Sequence, residues 1–395
     1  MTASREVWFF TAATATGGGG VRHTVALMQA MSQLYGDRLV IVGRDELKNI
    51  PLPRRVGRYV AVPLRSRAQK LWWFVRGGAY DLLTPFVDRW LAEQAQMPSL
   101  VVLDRSWIGR FAARLVRRGV PVVTMHHNVE VDYVGSTLAT PVLRPFLLPV
   151  IRSNERDALR HSSLNLCMTD RDAARLRTVY GLPAKTVFAP LGSFETFDQQ
   201  PPVARADGAD TASAFNLVIT GSLCDYQTVD GIRWFISDIF PLVKKAAPDV
   251  RLVLAGRSPS PEVVNLAKTE GIQLVPNPAD MDAITGKAHV YLAPTRLGSG
   301  LKLRLRDALR LGMPVVSHEV SARGYEGLFP NPLFQTFTTP EQCVAALLRV
   351  RARLPLGAAI RQQLQGIYEG HFSFPAGLAR LRGILASSLP ATALP

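Results

Sequence analysis

The densest chemistry in the sequence lies between Ala293 and Leu311, APTRLGSGLKLRLRDALRL. A strand-like run ends at Pro294, the small-residue turn Gly298-Ser299-Gly300 follows, and a helical pattern then carries Lys302, Arg304, Arg306 and Asp307. Glycines let backbone N–H groups approach an anion, and a helix N-terminus adds partial positive charge. Lys302, expected in the first turn, can meet a pyrophosphate as a point charge. Asp307, one to two turns later, offers a carboxylate to ribose hydroxyls. On spacing alone an equal reading stands: a solvated basic face on which Asp307 pairs with Arg304 or Arg310.

Two further clusters belong to the first half. The run Gly17–His23, GGGGVRH, follows the β-prone stretch Val7–Ala12, and such a glycine loop can approach phosphates or simply turn a strand into a helix. His126-His127-Asn128 follows the strand-like Pro121–Met125. A neutral imidazole there can hydrogen-bond a sugar or a leaving phosphate, although a loop histidine is mostly a solvated polar group. Glu130 and Asp132 come next and are expected to be exposed acids that orient an acceptor. The acid pairs Glu130/Asp132, Asp170/Asp172 and Asp280/Asp282 have spacing that could hold a metal, but the last two open helix-like stretches, where Asp caps the first turn. No metal is expected. Three cysteines, Cys167, Cys224 and Cys343, lie far apart and make neither a zinc cluster nor a disulfide framework.

These groups need positioning elements, and the hydrophobic pattern supplies them. Val7–Ala12, Leu39–Val42, Leu100–Leu103 and Pro121–Met125 read as strands, with helices at Val21–Leu34 and Ile108–Arg118. After the Pro/Ala/Asp/Gly-rich break Gln199–Ser213 the pattern restarts. Leu217–Thr220, Arg251–Ala255, Ile272–Val275, Val290–Leu292 and Val315–Val316 read as strands, with a helix at Gly231–Ala246. Strands apolar on both faces are buried parallel strands covered by helices. Alternation of strand and helix on both sides of one break predicts an α/β protein of two Rossmann-like halves, with ligands beyond the carboxyl ends of the strands.

The central segment resembles the family 4 glycosyltransferases. It carries PTRLGSGLKLRLRDA and then Gly312-Met313-Pro314-Val315-Val316-Ser317, similar to the strand, loop, two-acid helix and Pro-Val-Val strand of that family. The resemblance implies the GT-B fold, with two Rossmann-like domains facing a central cleft. It assigns Asp307 to the second acid, which grips the nucleotide ribose. Lys302 becomes the cation on the donor diphosphate, and Ser299 stands where the first acid is absent, as in one branch of the family. Val218–Phe235, VITGSLCDYQTVDGIRWF, is similar to another segment of that branch. Many members have Gly-Arg and a later Lys there, whereas this chain has Gly221-Ser222 and no loop lysine. The diphosphate would then rest on Lys302, the 298–302 loop (Gly298, Ser299, Gly300, Leu301) and Arg304. Val275-Pro276 falls where the family's backbone pairs with the donor base. Gly18, Gly19 and Gly20 match the family's glycine loop, Arg22 and His23 its following basic position, and His127-Asn128 its histidine at the donor sugar, with His126 a rival by one place; Arg22, His23, Asn128 and Glu130 are expected on the acceptor or membrane face. His371-Phe372-Ser373 resembles the approach to the last helix, which in this fold crosses back to the first domain.

The implied layout is residues 1–198 for the acceptor domain, 199–213 for the linker, 214–370 for the donor domain, and 371–395 for the returning helix and tail. The implied reaction is retaining transfer of a sugar from a nucleotide-sugar to a hydroxyl of a lipid-linked oligosaccharide, in polysaccharide synthesis. The nucleotide-sugar is a substrate, so no cofactor is expected. An epimerase, a phosphorylase or an inactive scaffold of the same fold are the alternatives.

Charge sharpens the partner. The chain has 395 residues and a formal net charge of +15. Residues 1–190 hold 26 Lys/Arg against 14 Asp/Glu, and the remainder 20 against 17. No helix-turn-helix, zinc or stacking motif supports nucleic acid as the anionic partner. Arg54–Arg76 interleaves Arg65, Arg67 and Lys70 with Trp72 and Trp73, a composition suited to the boundary of an anionic membrane, with Arg110, Arg114, Arg117 and Arg118 as its extension. A helix buried through its tryptophan pair fits the same letters. The expected location is the cytoplasm, at the inner face of the cytoplasmic membrane, since no secretory leader or 18-residue apolar run is present.

Overall fold

A computed structural model of the chain describes residues 6–13, 19–44, 53–62, 83–94, 96–137, 144–196, 214–298, 301–328 and 333–395. Two compact units result. Unit 1 comprises Met1–Asp198 together with Ser373–Pro395, and unit 2 comprises Gln199–Phe372.

Unit 1 is a seven-stranded sheet: β1 (Val7–Thr11), β2 (Leu39–Arg44), β3 (Arg58–Val62), β4 (Leu100–Asp104), β5 (Val122–His126), β6 (Leu164–Cys167) and β7 (Phe188–Pro190). Every pairing is parallel, in the order β3-β2-β1-β4-β5-β6-β7. All residues of β1, β4, β5 and β6 are buried, as expected for parallel strands covered on both faces. Trp8 and Phe10 project to one face and pack on Trp90 of the helix Leu83–Glu93, with ring centroids 4.5 and 5.8 Å away. The helix Phe374–Ser388 completes this unit against the helix Gly19–Tyr35. Tyr35 Oη donates to the Ala393 carbonyl at 2.9 Å, and a Cβ on Gly377 would overlap the Phe194 ring.

Unit 2 is a six-stranded parallel sheet: β8 (Phe215–Ser222), β9 (Val250–Arg257), β10 (Ile272–Pro276), β11 (Val290–Ala293), β12 (Val315–His318) and β13 (Phe334–Phe337), ordered β10-β9-β8-β11-β12-β13.

Several expectations are corrected. The helix expected at Gly231–Ala246 begins earlier and is broken into Tyr226–Trp234, a π-turn Phe235–Ile239, and Phe240–Ala246. Pro241 sits in the first turn of the last piece. It has no N–H for the preceding turn, and a π-turn absorbs the mismatch. The helix expected at Ile108–Arg118 is a 3₁₀ turn, Ser106–Ile108, followed by Arg110–Val116. Within the basic aromatic segment, Arg58–Val62 is the edge strand β3. Gly18, Arg65, Arg67, Lys70, Trp72, Trp73, Ser299, Gly300 and the linker 199–213 lie outside the described residues. Thr169 and Asp280 cap the helices Asp170–Tyr180 and Met281–Thr285 by accepting from backbone N–H groups. Among the described residues no group of His, Cys, Asp and Glu is arranged to hold a metal ion, and no helix is long and apolar enough to cross a membrane.

Candidate active site

In unit 1 the chemistry collects at the carboxyl edge of the sheet. Thr11 ends β1 and Asp104 ends β4, and the parallel register places them opposite each other. Asp104 is fully buried. Its Oδ2 accepts from Thr11 Oγ1 at 2.7 Å and from Thr24 Oγ1 at 2.8 Å, the latter on the first turns of Gly19–Tyr35. Its Oδ1 lies 2.7 Å from His127 Nε2. Burial works against the charged carboxylate, but His127, Arg105 and Thr11 outweigh it and hold the pKa below the usual value. Asp104 is therefore a carboxylate, and the proton between the pair sits on His127 Nε2. The other ring nitrogen, Nδ1, is buried and has no hydrogen-bond partner among the described residues.

The loop residues close around this pair. His23 is buried, its ring perpendicular to His127 with centroids 5.0 Å apart, and its Nε2 lies 3.0 Å from the Gly192 carbonyl, to which it must donate. His23 thus belongs to the interior beside His127, which corrects its placement on an acceptor or membrane face. Arg105 has φ of +152°, a conformation that costs an ordinary side chain about 1–3 kcal/mol. Its guanidinium lies over the Trp107 ring, and a Cβ on Gly20 would come within 2.8 Å of it. A larger residue at position 20 would have to push the end of this arginine aside. Arg22 reaches Glu195 at 2.8 Å.

His126 points elsewhere. Its Nε2 is 3.0 Å from Asn165 Oδ1 inside the sheet layer, and burial depresses its pKa to about 4. Of the two histidines, His127 alone meets Asp104. Glu130 is a correction: it is buried, not exposed. Burial raises its pKa, while Arg105, Trp107, His127 and Asn128 pull it back. Its backbone N–H donates to Glu155 Oε1 at 2.9 Å, and Tyr180 Oη donates to Glu155 Oε2 at 2.6 Å. Burial, then the neighbouring Glu130, push Glu155 up to about 8. Asp132, two residues on, meets Arg175 in a fork at 2.7 and 3.0 Å.

In unit 2 Gly221, the next-to-last residue of β8, has φ of +146°. A Cβ there would fall inside the Arg304 guanidinium. Arg304 donates to the Thr220 carbonyl at 2.6 Å and lies beside the Thr228 hydroxyl, so it is laid flat over the strand end. Lys302 caps rather than begins the helix Leu303–Arg310. Its Nζ donates to Gln227 Oε1 at 3.1 Å, and its carbonyl accepts from Tyr325 Oη at 2.9 Å. Desolvation, then Arg304 and Arg323, lower its pKa to about 8. Gly298 has φ of +94°, and a Cβ there would overlap the Gln227 amide. Gln227 thus ties the loop before Lys302 to the first turn of Tyr226–Trp234. Asp307 has its Oδ1 3.6 Å from Arg306 Nε. Arg310 is held by both oxygens of Asp282 at 2.7 Å, while Arg304 is turned to the Thr220 carbonyl. Ser222 Oγ lies 3.3 Å from Cys224 Sγ. Leu301 is half-buried, and Val275 and Pro276 end β10 beside Ala255 and Gly256.

The structure therefore gathers Gly20, His23 and His127 in one unit, and Gly221, Gly298, Lys302 and Arg304 in the other. Sequence reasoning missed Asp104, Thr11, Thr24, Arg105 and Glu155 in the first, and Gln227 in the second.

Residues 17–192 match the family model described as Glycosyltransferase Family 4, and residues 214–350 match Glycosyl transferases group 1. The chain belongs to the family 4 glycosyltransferases. The family assignment covers both units, and the fold is GT-B. Anabaena HepE in complex with UDP is similar over 97% of this chain and 100% of that one, with a TM-score of 0.68 and 13% identity. Sucrose-phosphate synthase from Thermosynechococcus elongatus aligns over 97% and 100%, with a TM-score of 0.69 and 12% identity. WaaG, a glycosyltransferase involved in lipopolysaccharide biosynthesis, aligns over 96% and 99%, with a TM-score of 0.65 and 14% identity. An uncharacterized 44.6 kDa protein in the cps region of Klebsiella pneumoniae is 27% identical over 117 residues, which span 28% of this glycosyltransferase and 30% of the Klebsiella protein.

Proposed function

We propose that this glycosyltransferase moves a sugar, with retention of anomeric configuration and without a metal, from a nucleotide-sugar to a hydroxyl of a lipid-linked oligosaccharide. The pathway would be exopolysaccharide, capsule or lipopolysaccharide synthesis, at the inner face of the cytoplasmic membrane. The observation that carries the reading is the Lys302 site: an ammonium held at a helix N-terminus, with Arg304 on one glycine and Gln227 on another. Such a site suits a diphosphate leaving group, whose negative charge grows as the glycosidic bond breaks. Asp307, on the same helix, is assigned to the nucleotide ribose. HepE has been crystallised with UDP and with UDP-glucose, which supports a nucleotide-sugar donor.

In unit 1, Asp104 orients His127 and keeps its proton on Nε2, leaving Nδ1 as an acceptor toward a donor-sugar hydroxyl. No protein nucleophile is required on this reading. The leaving phosphate takes the acceptor proton while the new bond forms on the face it vacates. The test is a donor-hydrolysis and transfer assay on Lys302→Ala and Asp307→Ala, with NMR of the product anomer and parallel reactions in EDTA. Unchanged activity in both variants would sink the site, an inverted anomer would sink retention, and loss of activity in EDTA would sink metal independence.

A further inference from the structure

The helix Arg144–His161 presents an outer face that nothing in the described chain covers. Phe146 is 65% exposed, the largest value among the described exposed hydrophobic side chains. Pro145 and Pro149 are exposed beside it, and Arg152, Arg156 and Arg160 continue the same face at helical spacing. No carboxylate among the described residues lies within ion-pair distance of these three arginines. The opposite face is accounted for: Ile151 and Leu159 are buried with Val129, Val131 and Val134, and Leu147 and Leu148 pack against the same cluster.

The direction of the helix gives this face its meaning. Its C-terminal end is fixed at the amino edge of the sheet, where Ser163 N donates to the Val122 carbonyl at the start of β5. Eighteen residues make a helix roughly 27 Å long, whereas the five-residue strand β5 covers roughly 16 Å. The first turns therefore reach beyond the carboxyl edge, the edge that holds Asp104 and His127. Pro145 also removes one of the N–H groups that a helix start would leave unpaired in an apolar medium.

We propose that this face docks unit 1 on an anionic lipid bilayer, with Phe146, Pro145 and Pro149 entering the interface and Arg152, Arg156 and Arg160 meeting lipid phosphates. Charge complementarity selects the occupant. Three arginines without carboxylate partners sit beside an exposed aromatic, in the half of the chain that holds 26 basic against 14 acidic residues. The inference rests on the membrane reading above and deepens it, naming a surface other than the Trp72-Trp73 segment. It brings the acceptor edge of the sheet to the height of a lipid-linked substrate's head.

The test is sedimentation with vesicles of phosphatidylcholine alone and of phosphatidylcholine with 30% phosphatidylglycerol. The wild type is expected to bind the anionic vesicles at least ~10-fold more tightly. Phe146→Ser is expected to lower that affinity ~10-fold, and Arg152→Glu/Arg156→Glu ~20-fold or more. Neither variant touches the donor site, so UDP binding measured by calorimetry without vesicles is expected to match the wild type. Wild-type affinity for anionic vesicles in both variants would overturn the proposal. So would a wild-type dimer in solution that Phe146→Ser dissolves without any change in vesicle binding. Vesicle binding that follows the prediction while no nucleotide-sugar is ever used would leave the docking surface standing and remove the glycosyl-transfer reading instead.

Discussion

His127 Nε2 and Asp104 Oδ1 stand 2.7 Å apart at the carboxyl ends of neighbouring strands. The carboxylate is held on its other oxygen by two hydroxyls, from Thr11 and Thr24. This leaves the histidine ring one orientation and one tautomer. A group that binds a reacting sugar gains from such fixing, because the ordering cost falls on folding rather than on each turnover.

Asp104→Asn is expected to keep the fold and lower kcat for transfer ~10–100-fold, with little change in donor KM. The amide removes the charge that fixes the ring, worth about 1.5–3 kcal/mol for a charged hydrogen bond. Asp104→Ala, in contrast, strands two buried hydroxyls and a ring nitrogen and is expected to destabilise unit 1 by about 3 kcal/mol. Steady-state kinetics and urea unfolding separate the two.

Gly221→Ala is expected to damage donor binding rather than turnover. The new Cβ would displace the Arg304 guanidinium, and φ of +146° strains any L side chain there. A ~10-fold or greater rise in donor KM, read beside a melting curve, checks it. An unchanged KM would mean that Arg304 does not serve the diphosphate.

Lys302 makes a pH-dependent prediction with a definite sign. Its folded pKa is about 8, against 10.5 for an ordinary lysine, because desolvation penalises the ammonium. Between these values the unfolded chain holds a proton that the folded chain lacks, so this group's contribution to stability rises with pH across that window. A diphosphate favours the ammonium, so UDP affinity should be greatest below pH 8 and fall as pH climbs through it. Lys302→Met should flatten both trends. Calorimetric titration of UDP between pH 6.5 and 9.5 is the measurement.

Glu155 has the opposite sign. Burial and then Glu130 push it to about 8, so the folded chain holds a proton that the unfolded chain gives up above the ordinary carboxylate range. Stability from this group is full at low pH and drains away as pH rises toward 8. Glu155→Gln should make the protein less sensitive to alkali across pH 5–8, which thermal melts of the variant and the wild type at matched ionic strength would reveal.

Legibility in the sequence followed the range over which each feature is encoded. The order of the Val290–Ala293 strand, Lys302, its helix and the Val315–His318 strand was readable because they are adjacent in the chain. Asp104 was not, because it is the last letter of an ordinary apolar strand, and its partners Thr11, Thr24 and His127 come from three other elements. The burial of Glu130 was hidden for a related reason. Glu130 and Asp132 look alike in sequence, and only the helix carrying Glu155 and Tyr180's hydroxyl mark one as internal while Arg175 meets the other outside. β6, β7 and β13 are three or four residues long, too short to show a period.

The helix Phe374–Ser388 carries a consequence for biogenesis. Unit 2 is one uninterrupted stretch and can complete itself on the ribosome. Unit 1 cannot, because the residues that meet Phe194, Tyr35 and Arg38 emerge only after all of unit 2. The first half of the chain must therefore wait, with its apolar seam uncovered, for residues 373–395 to be translated. During that interval chaperone engagement and degradation compete with closure.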